Sequence, residues 1–485
     1  MHIAFAASEC APLAKTGGLA DVVGALPGEL AKLGHKVSVF LPFYSRVRKQ
    51  VAADPTYAIR SLTIPFRYYN RFVGLVDGGL RDGVQFYFID CPELFDRPEL
   101  YGSKGSDYPD NAERFALFCR AVLEASKILG VPQVFHVHDW QAALIPVYLK
   151  TTYAADPALS SVATVLTIHN AAYQGTFPPD TTEELLFPWD VFTMDKLEHF
   201  DRFNFLKGGI VFSDILTTVS RKYAEEIQTP EFGEQLESVL SRRAADLRGI
   251  LNGIDYALWN PANDSNLVAH YTPQKLSGKQ ACRADLLHAF GLEKVPASTP
   301  VFGIVSRLAM QKGFDILLAI ADELALRKMI VVVIGSGDPY YENLMRDWAF
   351  RNPAAVAVRF GYDEALAHKI EAGADLFLMP SRYEPCGLNQ IYSLKYGTVP
   401  VVRATGGLDD TIEEWDANKG TGTGFKFSGF APEDLLAEID RALVAFRDKK
   451  SWQRLMRNGM ACDYSWSGPA KEYSRVYEEA VRRRV

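Results

Sequence analysis

Glu384 stands in a segment whose pattern predicts contact with a hydroxyl-rich ligand. The apolar run Leu376–Met379 has the length of a buried strand, and the polar loop Ser381–Cys386 follows it. Apolar residues then recur at helical spacing, so Glu384 is expected where a parallel strand gives way to a helix. Open α/β sheets bind ligands at this edge, next to the N–H groups of helix starts. A carboxylate there would accept hydrogen bonds from sugar hydroxyls; a solvated loop glutamate is the alternative.

A second strand-to-helix turn follows in the chain. Residues 399–408 read VPVVRATGGL, an apolar strand and then a Thr-Gly-Gly turn, and Asp409–Trp415 is predicted to begin a helix. Successive turns of this kind share the carboxyl edge of a parallel sheet. We therefore expect the Thr-Gly-Gly turn to lie beside Glu384.

Arg307 and Lys312 combine two cations on one loop, five residues apart, after the predicted strand Val301–Val305. Arginine offers a planar fork of donors and lysine a compact charge, a pairing that suits a diphosphate. Two solvated cations are the alternative interpretation. In both interpretations, the two side chains are expected to be exposed on the loop.

A cation also precedes glycines near the N-terminus. Lys15, Thr16, Gly17 and Gly18 lead into a predicted helix at Leu19–Leu33. Two glycines let a backbone approach a ligand closely. The chain contains no Gly-Lys-Ser/Thr, so this is not a phosphate loop of the Gly-x-x-x-x-Gly-Lys type. A plain turn with a solvated lysine remains the alternative.

Two polar clusters end neighbouring strands: His138, Asp139 and Trp140 follow one, and His169 and Asn170 follow the next. No His-Glu-x-x-His or Cys-x-x-Cys spacing supports a metal site. Polar residues at the carboxyl ends of adjacent strands favour a ligand site. His169 is therefore predicted to bond a substrate hydroxyl or carbonyl, with a satisfied structural histidine as the alternative.

The elements that carry these loops alternate between short strands and helices, which is typical of parallel sheets covered on both faces. The alternation begins at His2–Ala6, and the aromatic-rich stretch Phe66–Asp90 is predicted to be an antiparallel excursion. It breaks at residues 251–261, which read LNGIDYALWNP, and resumes at Val301–Val305. We place a domain boundary at residue 253.

Composition narrows the class of protein. A length of 485 residues favours two or more domains. The chain has 52 Lys and Arg against 59 Asp and Glu, a net charge of −7, which argues against a broad nucleic-acid surface. Six cysteines without paired spacing favour a reducing compartment. No leader or membrane-spanning run is evident, so a cytoplasmic protein without a membrane partner is expected. The oligomeric state stays open.

Taken together, the motifs resemble those of bacterial glycogen synthases of the ADP-glucose type and of the related plant starch synthases. The matching segments are KTGGLADV at 15–22, HDW at 138–140, HN at 169–170, NGID at 252–255, SRLAMQKG at 306–313, EPCGL at 384–388 and TGGL at 405–408. Each segment is short, but their joint occurrence in this order over most of the chain is highly specific.

The resemblance implies an α/β fold of the GT-B glycosyltransferase type, with two Rossmann-like domains facing a cleft. Residues 1–253 would carry the acceptor side and the Lys15 loop, residues 254–462 would bind the nucleotide sugar, and residues 463–485 would form a helix packed back on the first domain. The implied reaction moves glucose from ADP-glucose to the non-reducing end of an α-1,4-glucan, with retention, in glycogen or starch elongation. No cofactor, metal or nucleic acid is implied.

The resemblance also implies residue roles. The implied catalytic residues are Lys15, His169, Arg307, Lys312 and Glu384. The two cations of the 306–313 loop would hold the leaving diphosphate, with Lys15 close to the phosphates. Glu384 would grip the donor glucose, and His169 would face the reacting sugar.

Implied substrate contacts extend this set. They are Gly18, Asp21, Asp139, Asn170, Asn252, Tyr362, Cys386, Gly387, Thr405 and Gly406. Tyr362 would stack on adenine, and Thr405 and Gly406 would lie against the phosphates. Cys386 and Gly387 would contact glucose hydroxyls. Gly18 would approach the donor, and the remaining Asp and Asn residues would complete the sugar side.

Tyr392 marks a departure from the wider class of retaining transferases, which commonly has a second Glu eight residues after the first. The resemblance to glycogen and starch synthases implies that this family shares the difference, so it weakens only arguments from the wider class. The Asp-x-Asp metal motif is absent, and no opposite-face nucleophile emerges. Same-face attack by the acceptor is therefore favoured over double displacement.

Two other functions are compatible with these motifs. One is a transferase of the same fold with another donor or a small acceptor, as in sucrose or trehalose synthesis. The other is a catalytically silent glycan-binding scaffold, which the joint presence of Lys15, Arg307, Lys312 and Glu384 disfavours.

Overall fold

The computed structural model describes residues 1–51, 54–103 and 105–484, and the chain divides into two compact units. Unit 1 comprises Met1–Gly253 and Trp466–Val485, and unit 2 comprises Ile254–Ser465. The chain therefore returns to unit 1 at its C-terminal end. Residue 485, the last of the predicted C-terminal helix segment, lies outside the described residues.

The strands are short, as their apolar runs predict. In chain order they are β1 His2–Ala6, β2 Lys36–Pro42, β3 Tyr57–Pro65, β4 Asn70–Arg81, β5 Val84–Asp90, β6 Gly102–Ser103, β7 Ser106–Asp107, β8 Val134–His138, β9 Ala163–Ile168, β10 Thr176–Phe177, β11 Glu198–His199, β12 Arg202–Asn204, β13 Ile215–Thr218, β14 Leu247–Gly249, β15 Val301–Val305, β16 Ile330–Gly335, β17 Val356–Phe360, β18 Leu376–Met379, β19 Val399–Arg403 and β20 Phe425–Phe427.

Helices alternate with these strands. They are α1 Gly18–Lys32, α2 Ser45–Arg48, α3 Pro92–Phe95, α4 Asn111–Leu129, α5 Asp139–Ala142, α6 Leu144–Lys150, α7 Thr181–Glu184, α8 Phe205–Phe212, α9 Arg221–Glu226, α10 Glu237–Arg242, α11 Ser277–Ala289, α12 Phe314–Ala319, α13 Ala321–Ala325, α14 Pro339–Arg351, α15 Glu364–Gly373, α16 Asn389–Tyr396, α17 Gly406–Thr411, α18 Pro432–Arg447, α19 Lys449–Met460 and α20 Ser467–Arg482, with 3-10 turns at Trp189–Val191 and Met310–Lys312. Among the described residues, none of these helices combines the length and apolarity needed to cross a bilayer.

Unit 1 is organised by a mostly parallel sheet. Over its described residues, the strand order is β14-β13-β9-β8-β1-β2-β5-β4-β3. The central strand β1 pairs in parallel with β2 and β8, and its residues from Ile3 onward are buried. Such strands read as continuous apolar runs because helices cover both faces. Since β8 and β9 are neighbours, the polar clusters that follow them share one edge of the sheet.

The excursion predicted at Phe66–Asp90 is confirmed as an antiparallel ladder, with one qualification. Strand β4 runs antiparallel to both β3 and β5. Strand β5 also runs parallel to β2, with Val37 opposite Val84, so it joins the excursion to the main sheet. The aromatic and β-branched residues that led to the prediction fit a pleated surface.

Unit 2 contains a fully parallel sheet, ordered β17-β16-β15-β18-β19-β20 over the described residues. The order reverses between β15 and β18, because β16 and β17 lie on one side and β19 and β20 on the other. Loops diverge at such a switch point and leave a crevice where ligands bind. The loop with Arg307 and Lys312 follows β15, and the loop with Glu384 follows β18. Both predicted loops therefore flank the switch point.

Candidate functional site

Lys312 and Glu384 form an ion pair at the switch point of unit 2. The Lys312 ammonium lies 2.6 Å from Glu384 Oε2, and the Ser381 hydroxyl donates to the same oxygen at 3.1 Å. The side chains are 18% and 8% exposed, respectively. The prediction that Lys312 is exposed on a loop is therefore wrong, because the carboxylate from the next loop draws the lysine inward.

The two loops are also joined through their backbones. The Arg382 N–H donates to the Gln311 carbonyl at 2.8 Å, and the Gln311 amide donates to the Tyr383 carbonyl at 3.2 Å. Gly313 has φ +73°, and a Cβ there would lie 1.9 Å from the Pro380 carbonyl oxygen. A glycine is required at this close approach. The loop that carries Arg307 and Lys312 therefore has little freedom to shift against the loop that carries Glu384.

The Thr-Gly-Gly turn lies against the Glu384 loop, as expected. The Gly407 N–H donates to the Glu384 carbonyl at 3.0 Å. A Cβ at Gly406 would lie 1.9 Å from that carbonyl oxygen, and one at Gly407 would lie 2.0 Å from the Cys386 oxygen. Helix α17 begins at Gly406, so the helix start predicted at Asp409 is wrong. The glycines permit close packing inside the first helical turn; they do not form a separate turn before it.

Arg307 and Tyr362 are exposed at the same edge of the unit 2 sheet. Arg307 follows β15 and Tyr362 follows β17. Tyr362 is 72% exposed, so it is not a core tyrosine. The carboxyl edge of unit 2 thus carries a guanidinium, an ammonium, a carboxylate and an accessible aromatic ring.

Cys386 and Gly387 connect Glu384 to helix α16. Cys386 is buried, and Gly387 adopts φ +67°. The Gln390 amide donates to both of their carbonyls at 3.0 Å. The backbone next to Glu384 is therefore fixed by the first turn of α16.

In unit 1, Lys15 lies across the start of helix α1. Its ammonium is 2.6 Å from Asp21, a residue of the first helical turn. A Cβ placed on Gly17 or Gly18 would meet nothing within 4 Å among the described residues, and neither glycine has positive φ. The protein's own packing does not require glycine at these positions, so the surface above them is open.

His169 and Asp139 meet at the carboxyl ends of β8 and β9. The His169 backbone N–H donates to Asp139 at 2.7 Å, and its ring Nε2 lies 2.9 Å from His138 Nδ1. Asp139 adopts φ +53°, an unusual conformation for a residue other than glycine. Burial lowers the pKa of His169 to about 3, so this ring is neutral at physiological pH.

Burial has the opposite effect on the Asp139 carboxyl and raises its pKa to about 7. The backbone N–H groups of His169 and Asn170 favour the carboxylate and offset part of this effect. The two pKa shifts have the same cause, because burial disfavours the charged form of each group. The cluster therefore combines a neutral imidazole with a carboxyl that titrates near neutrality.

The two asparagines predicted for the sugar side follow strands of the same sheet. Asn170 follows β9, and its side-chain oxygen accepts from the Ala172 N–H at 3.1 Å. Asn252 follows β14 and is 4% exposed. Its Oδ1 is buried and has no hydrogen-bond partner among the described residues.

Family models match both units. The starch synthase catalytic domain matches residues 2–242, and glycosyl transferases group 1 matches residues 292–459. Two similar proteins are the glycogen synthases of Koribacter versatilis and Anaeromyxobacter dehalogenans. They are 58% identical over 485 residues and 48% identical over 479 residues, which is 100% and 98% of this chain and 99% of each relative. The chain belongs to the glycogen and starch synthase family.

Solved structures agree with this assignment. The catalytic domain of starch synthase IV from Arabidopsis thaliana, bound to ADP and acarbose, has a TM-score of 0.88 and 33% identity, with 99% of each chain covered. Sucrose-phosphate synthase from Thermosynechococcus elongatus has a TM-score of 0.61 at 17% identity over 99% of each chain, a likeness of fold alone. The chain has the α/β, GT-B-type fold expected for the glycogen and starch synthase family.

As a member of the glycogen and starch synthase family, the chain is an enzyme that transfers glucosyl units in glycogen or starch synthesis. The family uses a nucleotide-sugar donor and a glucan acceptor. Groups of three or more His, Cys, Asp or Glu side chains placed to hold a metal ion do not occur in the described part of the chain.

The structure adds residues to these clusters that the sequence did not single out. Glu9 accepts a hydrogen bond from the Lys15 loop, and Tyr101 donates to Glu9. Ser381 donates to Glu384. Ser381 begins the same predicted polar loop that contains Glu384, so its position in the sequence could have indicated a contact with Glu384. Glu9 lies in the loop after the first strand, but nothing in its spacing indicates that the chain folds back onto it.

Proposed function

We propose that the enzyme transfers glucose from ADP-glucose to the non-reducing end of an α-1,4-glucan and retains the anomeric configuration. The observation that carries the proposal is the Lys312–Glu384 pair at the switch point of unit 2. It places a cation suited to phosphate next to an acceptor suited to sugar hydroxyls, beside the first turn of α17. The relative solved with ADP and acarbose supports an adenine nucleotide as the donor's leaving group.

Unit 2 is proposed to bind the nucleotide sugar, over the range predicted as residues 254–462. Arg307 and Lys312 hold the diphosphate, and Thr405 and Gly406 bring the start of α17 to the phosphates. The exposed ring of Tyr362 stacks on adenine. The glucose hydroxyls are bound by Glu384, Cys386 and Gly387.

Unit 1 is proposed to carry the acceptor side and the Lys15 loop, over residues 1–253, with the C-terminal helix of 463–485 packed on it. Lys15 and Gly18 approach the donor phosphates, for which the open surface above the glycines leaves room. His169 acts as a neutral hydrogen-bond partner of the reacting sugar, through Nδ1, the ring nitrogen that does not face His138. The remaining sugar contacts are Asp21, Asp139, Asn170 and Asn252.

The proposed reaction needs no nucleophile from the protein. The bond between glucose C1 and the phosphate oxygen breaks, and its electron pair stays on the diphosphate. The 4-hydroxyl oxygen of the acceptor attacks C1 from the same face and passes its proton to the departing phosphate oxygen. Arg307 and Lys312 stabilise the charge that grows on the diphosphate, and Glu384 stabilises the positive sugar ring. The products are ADP and a glucan longer by one residue.

A donor and acceptor screen tests the proposal. The purified enzyme is given ADP-glucose or UDP-glucose, with glycogen, fructose 6-phosphate or glucose 6-phosphate as the acceptor. Nucleotide release is measured, and the new linkage is assigned by NMR. Rapid transfer from ADP-glucose to glycogen with an α-1,4 linkage is expected. Preference for UDP-glucose or for a small phosphorylated acceptor would overturn the substrate assignment, and a β-linkage would overturn retention.

A further inference from the structure

A buried carboxylate, Glu9, holds the Lys15 loop from below. It is 4% exposed and lies on the loop directly after β1. Its Oε2 accepts from the backbone N–H groups of Thr16 at 2.5 Å and Gly17 at 3.2 Å. Its Oε1 accepts from the hydroxyls of Thr16 and Tyr101, both at 2.6 Å. Glu9 therefore bonds the backbone of both residues between Lys15 and helix α1.

These bonds set the conformation of a loop that could not set it alone. Gly17 is the N-cap residue of α1 and has no side chain to bond the helix start. Glu9 instead accepts from the N–H groups of Gly17 and of Thr16 before it, and hydrogen bonds to a carboxylate are stronger than neutral ones. Without the hydrogen bonds to Glu9, residues 16–18, which read Thr-Gly-Gly, would sample many conformations. The direction in which Lys15 leaves the loop depends on the anchored residues that follow it.

The position of Glu9 is difficult to explain by stability alone. Burying a carboxylate is costly even when it is fully bonded, and apolar groups of similar volume often stabilise a protein as well or better. The surface above Gly17 and Gly18 is open among the described residues, so the loop is held on its inner side and accessible on its outer side. That arrangement suits a loop whose path must be correct for a ligand.

Tyr101 supports the same carboxylate. Its hydroxyl lies 2.6 Å from Glu9 and 2.8 Å from the Ser8 hydroxyl. Burial, followed by the neighbouring Glu9 charge, raises the pKa of Tyr101, so the phenol stays protonated and donates to Glu9. Glu9 therefore belongs to a small hydrogen-bond network that connects Tyr101, which precedes α4, to the Lys15 loop.

We propose that Glu9 is a positioning residue that acts through Lys15: it fixes Thr16 and Gly17 so that the Lys15 ammonium and the start of α1 are presented to the donor. The inference rests on the role proposed for Lys15. It assigns Glu9 no contact with substrate.

The first test compares Glu9→Gln with Tyr101→Phe and the wild type. Glutamine keeps the size and one acceptor oxygen but turns an NH2 group toward backbone donors. We expect Glu9→Gln to lower kcat about 10- to 100-fold, the scale of a misplaced catalytic group. The glucan KM should stay unchanged, and the Thr16 and Gly17 amides should exchange hydrogen faster. Tyr101→Phe removes only one of the hydrogen bonds to Glu9, together with the contact to Ser8, and should cost less than Glu9→Gln. Unchanged kcat or unchanged exchange in Glu9→Gln would overturn the proposal.

The second test is a double-mutant cycle with Lys15→Ala. If Glu9 acts through Lys15, adding Glu9→Gln to Lys15→Ala should lower kcat by less than about threefold further, because the group being positioned is gone. Two losses that multiply in full would overturn the proposal and indicate a general structural role.

Failure of the Lys15 role would show differently. Lys15→Ala alone would then keep the wild-type kcat. If Glu9→Gln still lowered kcat in that case, both the proposed role of Lys15 and the positioning route through it would be wrong. Melting temperatures are measured for all variants. A loss of kcat that is explained by partial unfolding at the assay temperature counts against the proposal.

Discussion

The ammonium of Lys312 lies 2.6 Å from the carboxylate of Glu384, across two loops that follow neighbouring strands of one parallel sheet. The pair is largely buried, so each charge is held in place by the other. A bound nucleotide sugar would offer each of them a second partner: phosphate oxygens for the lysine and hydroxyls for the glutamate. The pair thus keeps two charged groups ordered before the donor arrives.

Glu384→Gln should separate catalysis from nucleotide binding. The variant keeps its size and one acceptor oxygen but cannot stabilise a positive sugar ring, so kcat should fall about 100- to 1,000-fold. ADP lacks the glucose, and Lys312 loses its competing anion, so ADP affinity should be equal or slightly tighter. The measurements are kcat with ADP-glucose and glycogen, and ADP binding by calorimetry. The exposed Glu433→Gln serves as the control. Full activity, or an equal loss of ADP affinity, would contradict the assignment of Glu384.

Arg307→Ala and Lys312→Ala should differ in stability although both lose activity. Each should lower kcat about 100- to 1,000-fold if both cations stabilise the leaving diphosphate. Arg307 is exposed, so its removal should leave the melting temperature unchanged. Removing Lys312 leaves Glu384 largely buried without its ion partner, which should cost up to about 3 kcal/mol of unfolding free energy. Urea denaturation and initial rates measure both, with exposed Arg447→Ala as the control. Variants that raise only KM would argue against the role.

Local features of the site could be predicted from the sequence, because they depend on short apolar runs and turn residues. The strands Val301–Val305 and Leu376–Met379 lie at the predicted residues. Their carboxyl ends could be assigned to one sheet edge, since parallel strands in an alternating α/β chain leave little choice. The side-by-side placement of the Thr-Gly-Gly turn and the Glu384 loop followed from the same rule.

Contacts between distant residues could not be predicted. Lys312 and Glu384 are 72 positions apart, and no local pattern shows that the lysine turns inward. Glu9 is 92 positions from Tyr101, and its role depends on the chain folding back over it. The start of α17 was misplaced because Gly406 and Gly407 read as a turn, whereas the structure uses them for close backbone packing.

The Asp139 carboxyl predicts a pH step in activity. Burial raises its pKa to about 7, above that of the unfolded chain, so its contribution to folding stability is present below about pH 4 and is lost as the pH rises through about 7. Its ionised form is the one suited to a positive sugar ring. We therefore expect kcat/KM to rise about 10-fold through pH 7, a rise absent from Asp139→Asn. His169→Gln should keep the step at lower activity, because His169 is already neutral there. An unchanged step in Asp139→Asn would refute the assignment.

Gly18→Ala tests whether the open surface above the Lys15 loop faces the donor. The added methyl group would meet nothing within 4 Å among the described residues, and φ is not positive, so folding should be unaffected. If the donor approaches this backbone closely, the methyl group should lower kcat/KM for ADP-glucose about 10- to 100-fold. The matched control is Gly28→Ala in the same helix, where a Cβ would only touch Asp82 at 4.0 Å. Melting temperature and donor-dependent rates are measured for both variants. Equal activity of Gly18→Ala and Gly28→Ala would remove Gly18 from the donor site, and a lowered melting temperature in Gly18→Ala alone would show that the glycine serves the fold.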